Sequence, residues 1–157
     1  MRMAFNRKRI VAALIAANLI LIWGNSLLPG ELSGKISACV TELIGKMLGI
    51  SPGESMAGHG LLRKLAHFSE FACLGLLLTL RLGMDGQQGR NLICQTLLGS
   101  LAAACVDETI QIFVNGRGSS LIDVWIDAGG AAVGMMAMLI GYYVSKKKNN
   151  HILEVIT

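Results

Sequence analysis

Four apolar runs, each long enough to cross a bilayer, take up most of a chain of only 157 residues. A helix needs about 20 residues to traverse roughly 30 Å of hydrocarbon, and such runs lie near 10–28, 62–82, 91–114 and 121–144. Only 15% of the residues are charged, against 53% hydrophobic, whereas soluble domains carry about 25% charged residues. What remains is too small and too apolar to coat four core helices with a polar surface. A soluble domain and a disordered chain are both excluded. The expected fold is an all-α polytopic membrane protein, a bundle of four transmembrane helices with a short amphipathic outer helix.

The formal net charge of +4 does not point to nucleic acid, because the basic residues flank the apolar runs and no recognition motif accompanies them. Arg2, Arg7, Lys8 and Arg9 precede the first run, and Lys146, Lys147 and Lys148 follow the last. By the positive-inside rule both ends are cytoplasmic, which an even number of spans satisfies. The chain then divides into a basic amino terminus (1–9), a transmembrane domain (10–144) and a basic tail (145–157), with Arg81 and Arg90 in an inner loop. Arg7 to Arg9 followed by Ile10 to Trp23 also resembles a signal peptide with a cleavage site at Gly24-Asn25-Ser26, but the second span runs inward in either case. Cys39, Cys73, Cys94 and Cys105 have no ligand spacing. Three of them fall inside apolar runs and are expected to be small buried hydrophobes, and neither a disulfide framework nor a zinc site is expected.

The long outer connection, 29–60, carries Leu32, Ile36, Val40, Leu43 and Met47 at helical spacing among Glu31, Lys35, Glu42 and Lys46. This is an amphipathic helix, lying on the outer membrane surface or packed on the bundle top. Ser51 to Gly60, rich in glycine, reads as a loop.

Charged side chains at the centre of a lipid-facing helix cost about 2.5–3.5 kcal/mol each on the insertion scale, so those present here should face the bundle interior. Lys64, His67 and Glu70 form one stripe of the second span. Asp107, Glu108 and Gln111 occupy an arc of the third, continued by Ser100, Ala103 and Ala104, and Asp123 and Asp127 share a side of the fourth with Gly130, Gly134 and Gly141. His67, Asp107 and Asp127 each lie about 10 Å inside the outer boundary at 1.5 Å per residue. The inner halves read as nearly free of polar groups. An outward-facing pocket closed below by apolar packing follows, with Arg117 in the Asn115-Gly-Arg-Gly-Ser-Ser120 turn above it. Arg117 can take a phosphate or carboxylate with two hydrogen bonds, or pair with Asp107, Asp123 or the headgroups. Asn18 and Asn25 suit hydrogen bonds between helices, and Gly130 with Gly134 could pack spans within one chain or join two chains in a homo-oligomer.

His67 could act as a general base oriented by Glu70 or Asp107. Together with Glu70, Asp107, Asp123 and Asp127 it could hold a divalent cation, or the whole set could be an ion-pair network that fixes helix register. No motif for a particular reaction is present.

The same residues resemble the VanZ-like family of small bacterial membrane proteins. Lys64-Leu-Ala-His-Phe-Ser-Glu-Phe-Ala-Cys-Leu-Gly75 is similar to its first motif, a His followed after two residues by Glu. Asp107-Glu-Thr-Ile-Gln-Ile-Phe-Val-Asn-Gly-Arg117, with Asp123-Val-Trp-Ile-Asp127, Gly130 and Gly134, is similar to its second. Asn115 stands where proline is common in that family and Asp127 where Asn is frequent, which bears on turn rigidity and pocket charge. The resemblance covers about residues 60–140. It implies a four-span bundle and, through the founding member, tolerance of the glycopeptide antibiotic teicoplanin. It establishes no enzymatic step. On this basis Lys64, Glu108, Gln111, Arg117, Asp123 and Asp127 are expected to bind an envelope lipid or lipid-linked cell-wall precursor. His67, Glu70 and Asp107 are the candidate catalytic residues of the alternative, an enzyme acting on lipid-linked phosphates or esters. A small transporter is disfavoured by the apolar inner half.

Overall fold

A computed structural model of the chain describes the backbone of residues 2–48 and 58–156, and side chains outside 1–4, 41, 44, 45, 47–60 and 147–157. Among the described residues there are five helices and no strand: α1 (Arg2–Ser26), α2 (Gly30–Leu48), α3 (Gly58–Met84), α4 (Gly89–Ile112) and α5 (Leu121–Ile156). Four contain segments long and apolar enough to cross a membrane: Phe5–Ser26, Leu61–Met84, Gly89–Ile112 and Leu121–Lys146. The glycine-rich connection expected over 51–60 lies largely outside the described residues. Two bounds differ from expectation. The basic residues at 2–9 belong to α1, and α5 continues to Ile156 through the segment expected as a tail.

The turns fix the order of the bundle. Between α3 and α4 the chain reverses at Asp85–Gln88, where Gly86 takes a φ of 87° that a side chain would oppose. Asp85 there accepts from Arg81 and pairs with Lys8 of α1 at 2.9 Å, which ties the start of α1 to the same end. The hydrogen bond from Arg81, then that from Lys8, holds the Asp85 carboxyl below the usual carboxylate range. The opposite end carries the close of α1, the start of α2 and the α4–α5 turn.

Ile22, Phe71, Leu74, Ala103 and Ala104 form the core shared by α1, α3 and α4, and the indole of Trp23 donates to the Ala103 carbonyl at 3.3 Å. On the other side, α3 and α5 meet through glycines. A Cβ on Gly130 would overlap the Phe68 carbonyl oxygen, one on Gly134 that of Ala72, and one on Gly75 that of Ala131. Small residues permit such approach, and here they serve packing within one chain. Gly141, which continues the same sequence pattern, meets nothing.

Helix α2 leaves Leu32, Ile36, Val40 and Leu43 exposed, while Ser33 is buried. Its apolar stripe is therefore turned away from the bundle, as in a helix lying in the headgroup layer; the side chain of Met47 lies outside the described residues. Salt bridges of Lys35 with Glu31 and of Lys46 with Glu42 line the polar side. The helix is anchored at its start, where Gly30 N donates to the Asn115 carbonyl at 3.0 Å.

Two readings of the sequence need correction. All four cysteines are free and exposed on the bundle surface rather than buried, because small residues are tolerated on a lipid-facing surface as well as in a core. The inner halves are also less apolar than their pattern suggests: Thr79, Thr96 and Ser100 are buried, with Thr79 Oγ1 and Thr96 Oγ1 3.4 Å apart. Thr79 also donates to the Gly75 carbonyl at 2.7 Å, so its hydroxyl is satisfied by its own helix.

The seam predicts that Gly134→Ala destabilises the protein by roughly 1–3 kcal/mol, the usual cost of overpacking, whereas Gly141→Ala leaves it unchanged. Thermal unfolding of the two variants in detergent checks this.

Candidate functional site

The polar residues of the spans meet at the end of the bundle opposite the chain termini. Stripe spacing on each helix turns one set of side chains inward, and the glycine seam brings α5 close enough to α3 for those sets to touch. His67 of α3, Asp107 of α4 and Asp127 of α5 each direct one donor atom to a common point, all three atoms lying within 4.8 Å of one another. His67 Nδ1 stands 3.6 Å from Asp107 Oδ2. An imidazole and two carboxylates so placed are the group that could ligate a metal.

Gln111 organises the α4 acids. Its amide donates to Asp107 Oδ2 at 3.0 Å, with Ser26 Oγ of α1 at 3.3 Å and Glu108 Oε1 at 3.4 Å. The other Glu108 oxygen accepts the Ser120 backbone N–H at 2.7 Å, a carboxylate placed at the start of α5 where the helix dipole favours it. Asp123, in the first turn of α5, pairs with Lys64 at 3.4 Å.

Above the buried acids a small cavity opens, lined among others by Arg63, Lys64, His67, Gln111, Asp123 and Asp127. Its volume is about 10 Å³, room for about one water molecule. Asp107 lies behind it, fully buried.

Glu70 and Arg117 stand apart from this cavity. Glu70 turns toward α1, where Asn25 Nδ2 donates to its Oε1 at 3.4 Å, so the acid facing His67 is Asp107. Arg117 donates from Nε to the Leu28 carbonyl at 3.1 Å and from Nη2 to the Asn25 carbonyl at 2.7 Å, adding to the Leu28 N–H bond that already closes the end of α1. These partners are neither an acid nor a headgroup, although Nη1 has no partner among the described residues. Burial, then repulsion from Arg63, draws the Arg117 pKa down.

Sequence reasoning passed over Arg63, Ser26 and Ser120. Arg63 was detectable four residues before His67, on the same helix face. Ser26 gave no signal beyond being a small polar residue at the end of an apolar run.

No curated protein and no solved structure matches the chain. The VanZ/LLP1 family model matches it over residues 5–142, which takes in the first three spans, all but the last four residues of the fourth, and the whole polar cluster. The chain therefore belongs to the VanZ/LLP1 family, as a four-span membrane protein.

Proposed function

We propose that this is a protein of the bacterial cell membrane, with both termini cytoplasmic, in which Arg63 and Lys64 beside the one-water cavity face outward and bind the phosphate-bearing headgroup of an envelope lipid or lipid-linked cell-wall precursor. By occupying that headgroup it alters access of glycopeptides such as teicoplanin. The observation that carries this reading is the pair of cations at the cavity: Arg63 and Lys64 line it together with Asp123 and Asp127, while Asp107 lies buried behind. Phosphate is held by cations of this kind, and a place near the start of the Leu61–Met84 span suits a headgroup ligand. Glu108, Gln111 and Asp123 shape the wall, and Arg117 holds the roof to α1.

A second reading, a membrane enzyme acting on lipid-linked phosphates or esters, is favoured by His67 facing Asp107. In that case Asp107 orients His67 as general base, and Glu70 holds α1 through Asn25. Purified protein that turned over no polyprenyl-phosphate or phospholipid ester would remove this reading.

Charge-assisted hydrogen bonds contribute about 1.5–3 kcal/mol each, so Arg63→Ala with Lys64→Ala should weaken headgroup binding about 100- to 10,000-fold. In a host where the intact protein raises teicoplanin tolerance, the double variant, matched for expression, should abolish that rise. Unchanged tolerance would overturn the proposal. The orientation is tested separately with an impermeant maleimide. With Cys39, Cys73, Cys94 and Cys105, all free and exposed, replaced by Ala, a cysteine at Gly118→Cys, where an added Cβ meets nothing within 4 Å, should react in intact cells, and one at Gln88→Cys only after permeabilisation.

A further inference from the structure

We propose that His67, Asp107 and Asp127 form a binding site for one small divalent cation, such as Zn2+ or Mn2+, clasped between α3, α4 and α5. The donor atoms come from three helices and lie within 4.8 Å of one another. The site is withdrawn from solvent and lipid, with His67 7%, Asp127 1% and Asp107 0% exposed.

The stronger argument is what these atoms lack. His67 Nδ1, Asp107 Oδ1 and both oxygens of Asp127 are buried without a hydrogen-bond partner among the described residues. Buried polar groups are ordinarily paired, and each that is not calls for an explanation such as an ion. Of the nearby cations, Lys64 is on Asp123 and Arg117 spends Nε and Nη2 on the Leu28 and Asn25 carbonyls, while Arg63 lines the adjoining cavity. A single cation satisfies all three residues at once.

The surroundings suit such an ion. Gln111 donates to Asp107 Oδ2 and so leaves Oδ1 free to ligate, the kind of outer support that orients metal-binding carboxylates. Imidazole with carboxylates selects borderline to hard divalent ions, and three protein ligands beside an open position is an arrangement known for zinc. Tetrahedral donors at 2.0–2.2 Å from a metal stand roughly 3.4 Å apart, so donors now within 4.8 Å of one another would draw in by at most about 1.4 Å on binding. The adjoining cavity, about 10 Å³, supplies the open position for one water or one phosphate oxygen.

Full-length protein in detergent, stripped with chelator and re-equilibrated with Zn2+ or Mn2+, should retain about one equivalent after gel filtration, measured by mass spectrometry of the metal. Asp127→Asn should weaken retention by at least about tenfold, and Glu42→Gln, an exposed carboxylate on α2, should not. Added metal should raise the unfolding temperature of the unsubstituted protein and not that of Asp127→Asn. If Asp127→Asn does not fold, His67→Gln takes its place, and if neither folds, retention by the unsubstituted protein decides. Protein that stays helical and monodisperse after stripping yet retains no metal would overturn the proposal, as would equal retention by the folded variant. The outcome is independent of the headgroup reading, since metal is measured without lipid-linked substrate and Arg63 and Lys64 supply no ligand.

Discussion

Helices α3 and α5 touch backbone to backbone, because Gly75, Gly130 and Gly134 leave no Cβ where the carbonyls of Ala131, Phe68 and Ala72 stand. In a bilayer no hydrophobic effect draws one apolar helix to another, so close contact must come from shape. The seam begins one residue beyond His67 on α3 and three beyond Asp127 on α5, which sets an imidazole and a carboxylate against each other as soon as the helices meet. Asp107 then completes the cluster from α4, and Gln111 fixes its orientation by reaching Ser26 on α1. Packing precedes chemistry here: a wider gap at Gly130 would leave the same acids open to lipid tails, where they are costly.

Charge is sorted along the bundle axis. At the end of the termini, Lys8, Arg81 and Asp85 form a surface cluster joining α1 to the α3–α4 turn; exposed pairs of this kind contribute little to stability and serve mainly to register helices. At the other end cations and carboxylates share the cavity wall, where Lys64 pairs with Asp123, and Asp107 lies buried behind them.

Much of this was legible in the sequence, for reasons of geometry. Span length, helical periodicity and the equal depth of His67, Asp107 and Asp127 are properties of single helices, and a bilayer imposes a common frame on them. Rotation of one helix against another is not encoded locally. The spacing of Lys64, His67 and Glu70 placed all three on one stripe, yet a stripe about a third of a helix wide faces two neighbours, and Glu70 fell to α1 while His67 fell to α4 and α5. Arg117 likewise met backbone carbonyls of α1, which no side-chain pattern reveals. Buried hydroxyls such as Thr79 escaped notice because a threonine satisfied by its own helix costs an apolar run almost nothing.

The junction between Gly30 and the α4–α5 turn has a mechanical corollary. Gly30 N–H is bonded to the Asn115 carbonyl, and Gly30 and Gly116 are close enough that a Cβ on the former would strike the latter's oxygen. Helix α2 is thereby bolted to the loop roofing the acidic cluster. Any tilt or shift of that outer helix is passed straight to the α4–α5 turn, so the two move as one rigid cap over the ends of the spans.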